Sequence, residues 1–209
     1  MKKPLAALLL MMMLTAQAET LPEGIFWPEG TEILSESAEN DLKTLTLALP
    51  DGGEVLLLTL DALTGEPISL ITETPAQAQP DPDETRADAE SAVIAACPGA
   101  KILFAEDDGE GGRRLYTLSE TLCGAVSVRG GKIVARSLAF GRFLDGGQLT
   151  AEGAAAALTL LRPGAEILEL EKDEDDGLTL YEGEAILDGA EYEFELDALS
   201  GKLLEWERD

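Results

Sequence analysis

Residues 181–209 read YEGEAILDGAEYEFELDALSGKLLEWERD. On both sides of a turn at 197–201, glutamates alternate with apolar side chains, which is the pattern of a strand with one buried face. The apolar series is Tyr192, Phe194 and Leu196 before the turn, then Leu204 and Trp206 after it. This stretch therefore predicts a β-hairpin with one apolar and one acidic face.

The same motifs occur earlier in the chain. The turn LDALSGK at 196–202 has a near copy, LDALTGE, at 60–66. The start of the last unit, PGAEIL at 163–168, resembles PGAKIL at 98–103 and PEGTEIL at 28–34. Self-similarity of this kind indicates repeated structural units. We expect three consecutive units of similar length.

The two matching turns offer conspicuous aspartates and glycines, namely Asp61, Gly65, Asp197 and Gly201. An aspartate carboxylate can accept hydrogen bonds from amides within its own turn, and glycine adopts a positive φ at low cost. We therefore assign these residues to turn structure and not to an active site.

Two helices are expected, one before the second unit and one before the third. Thr85 and Thr150 are helix-start residues followed by apolar side chains at helical spacing, and each pattern ends at a Pro-Gly pair. The first unit has too few residues before its first strand for a comparable helix. The sequence thus predicts an α+β fold of tandem units, each a small antiparallel sheet with a helix on one face, the helix being absent from unit one.

The first unit contains an anomaly. Val55, Leu57 and Thr59 occupy the places that glutamates hold in the third unit, so both faces of this strand are apolar. We expect residues 25–27 or the second unit to cover the second face. An exposed binding patch is the alternative, although large exposed apolar patches are uncommon on soluble monomers.

The N-terminus has the features of an export signal. Lysines precede an apolar run at 5–14, and small residues at 16–18 suit cleavage after Ala18. The run is shorter than the roughly 20 residues that a membrane-spanning helix needs. We therefore expect an exported protein, extracellular or in the cell envelope, without a stable membrane anchor after cleavage.

The predicted organisation follows from these boundaries. It comprises a signal peptide at 1–18, a degenerate first unit of strands only at 19–75 and a Pro-rich linker at 76–83. The second unit spans 84–143 and the third 144–209.

Charge and composition exclude several functions. The net charge is −26, which repels nucleic-acid phosphates and anionic lipid. Histidine is absent, and no serine or lysine stands in a catalytic pattern, so we expect no catalytic residues and no enzymatic activity. No cofactor is expected either.

Two acidic turns raise the question of calcium. Residues 106–110 and 173–177 offer carboxylate ligands, and an extracellular setting would supply the metal. Their spacing departs from a calcium-binding loop, because Gly177 stands at the third ligand place. We prefer solvated hairpin turns and predict no metal site.

Cys97 and Cys123 are the two cysteines of the chain. In an exported protein such a pair predicts a disulfide, with two buried thiols as the alternative.

The third unit resembles the PepSY domain family in its sequence of features. A helix ends at Pro-Gly-Ala, an Ile-Leu strand and an acidic turn follow, and the unit closes with DGAEYEFELDALSGK at 188–202. The second unit matches in outline, and the first keeps the motif LDALTG without the helix. The resemblance implies a helix on a small antiparallel sheet in exported bacterial proteins, a role in restraining peptidases, and no catalytic residues.

Two functions are consistent with these features. The first is a secreted binding module that restrains a peptidase or another envelope protein through its strand edges or sheet faces. The alternative is an acidic structural or spacer protein of the envelope, without inhibitory activity. In either case the sequence leaves the identity of a protein partner open.

Overall fold

A computed structural model describes residues 27–50, 54–81, 83–175 and 177–209. The predicted signal peptide at 1–18 and its cleavage point after Ala18 lie outside these residues. The described residues form two helices and mostly antiparallel strands, which confirms the α+β class. Neither helix of the described part is long and apolar enough to cross a membrane.

The strands form three meanders, in each of which four consecutive strands pair in sequence order. The first meander consists of β1 (Glu32–Glu39), β2 (Leu42–Ala48), β3 (Val55–Asp61) and β4 (Pro67–Thr74). The second consists of β5 (Lys101–Asp107), β6 (Arg113–Leu118), β7 (Leu122–Arg129) and β8 (Lys132–Phe140). After a short hairpin of β9 (Leu144–Asp145) and β10 (Gln148–Leu149), the third consists of β11 (Glu166–Asp175), β12 (Leu178–Leu187), β13 (Ala190–Asp197) and β14 (Leu203–Arg208).

The first two meanders join into one sheet of eight strands, in the order β1-β2-β3-β4-β8-β7-β6-β5. At the seam, Leu70 of β4 lies opposite Leu138 of β8. A polar network crosses the seam: the Arg136 guanidinium donates to the buried Glu54 carboxylate. Thr72 Oγ1 donates to the same carboxylate at 2.6 Å and accepts from the Arg136 amide at 2.7 Å. This union of the two units is not predictable from the local sequence patterns of either unit.

The two helices begin and end where the sequence predicts. Helix α1 (Arg86–Ala96) starts at Thr85, whose side chain accepts from the Asp88 amide while Asp88 accepts from the Thr85 amide. Helix α2 (Ala151–Leu161) starts at Thr150, whose side chain accepts from the Gly153 amide at 3.0 Å. Such caps satisfy amides that have no partner within the helix.

Helix α2 packs between the second and third meanders. Its buried residues Ala154, Ala157 and Leu158 belong to a core cluster that includes Leu118 of β6 and Phe194 of β13. Alanines on this helix allow close approach to strands on both sides. The third unit is therefore attached to the second by a shared hydrophobic core, and not only by the connecting chain.

Helix α1 packs on the other face of the second meander. Its buried Ala89 and Val93 join a second core cluster with Val126 and Val128 of β7 and the inward leucines of the first meander. Since side chains alternate along β7, the second meander is covered by α1 on one face and by α2 on the other.

The structure places Trp27, one of the expected covers of the second face of β3, on the other face of the strand. Trp27 packs with Leu56 and Leu70, which point away from the second face. Val55, Leu57 and Thr59 remain half-buried. Residues 25 and 26, the other expected covers, lie outside the described part.

Each meander has a β-bulge in its first strand at the same repeat position. The bulges interrupt pairing between Ile33 and Ser35, between Ile102 and Phe104, and between Ile167 and Glu169. The extra residue is a leucine each time. A bulge bends its strand and changes the direction of a side chain. These three leucines are therefore structurally equivalent positions of the three meanders.

Candidate functional site

The outer face of the third meander carries two rows of glutamates that cross all four strands. The glutamate face, as we call this surface, is built by the register of β11 to β14. One row consists of Glu171, Glu182, Glu195 and Glu205, and the other of Glu169, Glu184, Glu193 and Glu207.

The alternation of the sequence produces this face. Residues with the opposite parity, including Tyr181, Ala185 and Phe194, point into the core beneath α2. Gly183 lies at the centre of the sheet, where an added Cβ would stand 2.0 Å from the Glu169 carbonyl oxygen. The glutamates surround a shallow open depression of about 320 Å³. The face is thus broad and solvent-accessible, without an enclosed cleft.

The electrostatics of this face are one-sided. Like charges directly opposite one another on paired strands are destabilising. The cations of the same unit lie elsewhere: Lys172 and Arg208 stand opposite Tyr181 and Tyr192, on the other face. The Arg162 guanidinium lies over the Trp206 ring, 5.2 Å from its centroid. Apart from Glu195, the glutamates of the face form no ion pair with a lysine or arginine of the described part.

Among the described residues, no group of three or more histidine, cysteine, aspartate or glutamate side chains converges in a way that could hold a metal ion. In the turn at 106–110, Asp108 Oδ1 accepts from the amides of Glu110 and Gly112, both at 2.8 Å. Its Oδ2 accepts from Arg129 at 2.9 Å. Both oxygens of the Asp108 carboxylate therefore already accept hydrogen bonds from the protein. In the turn at 173–177, residue 176 lies outside the described part.

Hydrogen bonds within two turns shift the pKa of an aspartate in each of them. Burial opposes the shift in Asp108, but the Arg129 guanidinium and the turn amides outweigh it and lower the pKa of this carboxyl. The amide and hydroxyl of Thr64, followed by the Leu63 amide, lower the pKa of Asp61. Both shifts come from hydrogen bonds that hold a turn, and neither group lies in a cleft.

The turn residues singled out in the sequence have matching geometry in both copies. Asp61 Oδ1 accepts from the amides of residues 63 and 64, and Asp197 Oδ1 from those of residues 199 and 200. Gly65 and Gly201 have φ of 74° and 72°. These residues fix the turns, and they do not converge with one another or with the glutamate face.

The predicted disulfide between Cys97 and Cys123 is not present in the structure, where both residues are free thiols. Cys123 points to the side of β7 that packs against α2. Cys97 ends α1 on the opposite side, in an apolar pocket with Leu122 and Leu138. A disulfide requires Cβ atoms roughly 4 Å apart, and the strand separates these two side chains.

The alternation of glutamates with apolar side chains along β13 and β14 is visible in the sequence, but the two rows are not. The same alternation in β11 and β12 was the signal still available, although the rows depend on cross-strand register. The polar network of Glu54, Thr72 and Arg136 was also missed. It joins residues far apart in sequence, so no local sequence pattern predicts it.

Comparisons with known proteins assign the last unit. Residues 148–207 match the model of the PepSY family, described as the peptidase propeptide and YPEB domain, which confirms the predicted resemblance of the third unit. The first two units lie outside this match, so their resemblance to the family remains a prediction. No curated protein matches the sequence.

Two solved structures are similar in part. The Bacillus megaterium YpeB C-terminal domain has 11% identity and a TM-score of 0.40, with 86% of this chain and 90% of that chain covered. A protein described as a lipoprotein from Clostridium difficile 630 has 13% identity and a TM-score of 0.28, with 63% of this chain and 100% of that chain covered. Neither likeness is close enough to support an argument about function.

Proposed function

We propose that this chain, in which residues 148–207 form a PepSY domain, is an exported, non-catalytic binding module that restrains a peptidase or another envelope protein. The family description, which names peptidase propeptides, supports a peptidase as partner. The glutamate face is the surface that we assign to this binding.

The observation that carries the proposal is the register of the two glutamate rows. Cross-strand repulsion within each row lowers the stability of the sheet, while burial of the apolar side chains on the opposite face fixes the register. Arrangements that cost stability are expected at functional surfaces. A partner with clustered lysines and arginines would relieve the repulsion on binding, and its field would speed encounter.

The experiment measures inhibition of, and complex formation with, secreted peptidases purified from the producer's culture medium. The variant Glu182→Gln/Glu184→Gln/Glu193→Gln removes charge from the centre of the face. The control Glu29→Gln/Glu73→Gln/Glu120→Gln removes the same charge from exposed positions outside it. We expect the wild type and the control to bind one peptidase and the face variant to bind it at least about tenfold more weakly, the equivalent of 1.4 kcal/mol.

The outcomes separate the two functions named above. Equal binding by the face variant and the control would contradict the assignment to the glutamate face. Absence of any complex with the secreted peptidases would contradict restraint of a peptidase and favour the acidic spacer.

A further inference from the structure

The two copies of the repeated turn differ in what covers them. The first-unit turn is Asp61–Glu66 and the third-unit turn is Asp197–Lys202. Their backbones are held by the same internal hydrogen bonds, including Gly65 N to Asp61 O at 2.9 Å and Gly201 N to Asp197 O at 2.8 Å. The turns are therefore equivalent structures in different surroundings.

The third-unit turn is docked onto the second unit. Lys101 Nζ donates to the carbonyl oxygen of Leu199, and also to that of Gly147 at 2.6 Å. The Leu103 side chain lies over Gly201, 2.7 Å from the position of an added Cβ. In addition, Leu149 N donates to Ala198 O at 2.7 Å, and Ala198 is fully buried. A lysine and the bulge leucine two residues after it thus form the centre of this contact.

The first-unit turn is open within the described part of the chain. No described atom lies within 4 Å of a Cβ added at Gly65. Ala62, the equivalent of the buried Ala198, is exposed, and no described residue donates to the Ala62 or Leu63 carbonyl oxygen. The exposed fraction of Leu63 is 92%, against 63% for its counterpart Leu199.

We propose that the first-unit turn is a docking site for a separate basic protein that presents the chemistry of Lys101 and Leu103. The partner's ammonium would donate to the Leu63 carbonyl oxygen, and an aliphatic side chain two residues later on an edge strand would cover Gly65. Glu66 replaces the Lys202 of the third-unit turn, which makes the first-unit turn more acidic and favours a cationic partner.

A second copy of this chain fits the site poorly. Its Lys101 and Leu103 already hold its own third-unit turn. Its two other bulge leucines, Leu34 and Leu168, are exposed, but Glu32 and Glu166 stand where the lysine is required. A carboxylate in that position would repel the Leu63 carbonyl oxygen. The site therefore favours a different protein, and it is separate from the glutamate face.

The test uses the full chain, labelled with ¹⁵N, and the peptide PGAKILFAED, which is residues 98–107 of this sequence, as the probe. The matched peptide PGAEILFAED replaces the lysine with glutamate. We expect saturable amide shifts at 61–66 in the millimolar range with the lysine peptide, and roughly tenfold weaker binding with the glutamate peptide. The third-unit turn, which is already covered, is expected to show no shift.

Two protein variants sharpen the result. Ala62→Arg places bulk and positive charge on the turn and should abolish the shifts, whereas Thr74→Arg, exposed on β4 outside the turn, should retain them. Absence of shifts at 61–66, equal binding of both peptides, or binding to the Ala62→Arg variant would overturn the proposal. Concentration-dependent shifts at 61–66 without peptide would overturn the choice of a separate partner in favour of a second copy.

Discussion

Replacing Glu193 with lysine tests whether the glutamate rows cost the sheet stability. Glu193 lies between Glu184 on β12 and Glu207 on β14, directly opposite both. The substitution removes two pairs of like charge and creates two pairs of opposite charge. Each cross-strand pair contributes about 0.2–1 kcal/mol, and exposed pairs lie near the lower end of that range. We therefore expect Glu193→Lys to raise the free energy of unfolding by about 1 kcal/mol at low salt.

The assay is urea unfolding at about 20 mM and about 1 M salt, because the Debye length falls to roughly 3 Å at the higher concentration. The matched control is Glu73→Lys, which makes the same change of charge at an exposed position in a bulge of β4, where β3 presents no carboxylate opposite it. We expect the difference between the two variants to shrink at high salt. Equal stability of the two variants at low salt, or a gain that does not depend on salt, would refute the reasoning.

Three further predictions concern the Cys123 thiol, the contact of Gly153 in α2 with Phe143, and the Asp61 carboxylate. Burial raises the pKa of Cys123 to about 12, so this thiol should resist alkylation in the native protein and react once urea unfolds it, as peptide mass spectrometry would show. Gly153→Ala should lower the free energy of unfolding by about 1–3 kcal/mol despite the helix preference of alanine, because the new Cβ would stand 1.9 Å from the Phe143 carbonyl oxygen. Hydrogen bonds led by the Thr64 amide lower the pKa of Asp61 in the folded state. The wild type should therefore exceed Asp61→Asn in free energy of unfolding by a constant amount above the unfolded pKa near 3.8, and this difference should decline as pH falls through the folded pKa. Unfolding measured across that pH range would show the decline.

Each of these predictions has a contradicting result. An intact mass two hydrogens lower than that of the reduced chain would restore the Cys97–Cys123 disulfide. A Gly153→Ala variant as stable as the wild type would mean that α2 lies farther from the loop than the structure places it. Parallel pH profiles for the wild type and Asp61→Asn would show that this carboxylate does not hold its turn in the charged form.

Local patterns predicted the elements of this fold well. Alternation at 190–208 predicted the hairpin of β13 and β14, and Thr85 and Thr150 mark the starts of α1 and α2. These features depend on side-chain period and capping, which a short stretch of sequence contains in full.

Relationships between units were not predictable in the same way. The pairing of β4 with β8 joins two edges whose register is set by contacts such as Leu70 with Leu138, far apart in sequence. The structure lacks the predicted disulfide for a related reason. The disulfide was inferred from the expected export of the protein. Export does not determine on which side of β7 the thiols of Cys97 and Cys123 lie.

The candidate surface was predictable in part. The alternating glutamates around 191–195 are visible in the sequence, but their alignment into rows depends on cross-strand register, which a bulge in β14 shifts. The difference between the docked and the open turn was not visible either. Both turns have nearly the same sequence, and only the fold brings Lys101 to one of them.

The most direct measurement of the central claim is the affinity of the full chain for a secreted peptidase of its producer as a function of salt concentration. If the glutamate face binds a cationic surface, raising salt from about 50 mM to about 500 mM should weaken wild-type binding by an order of magnitude or more, mainly through slower association. The Glu182→Gln/Glu184→Gln/Glu193→Gln variant should bind weakly throughout, with little dependence on salt. Affinity that is independent of salt and equal for both proteins would contradict the claim.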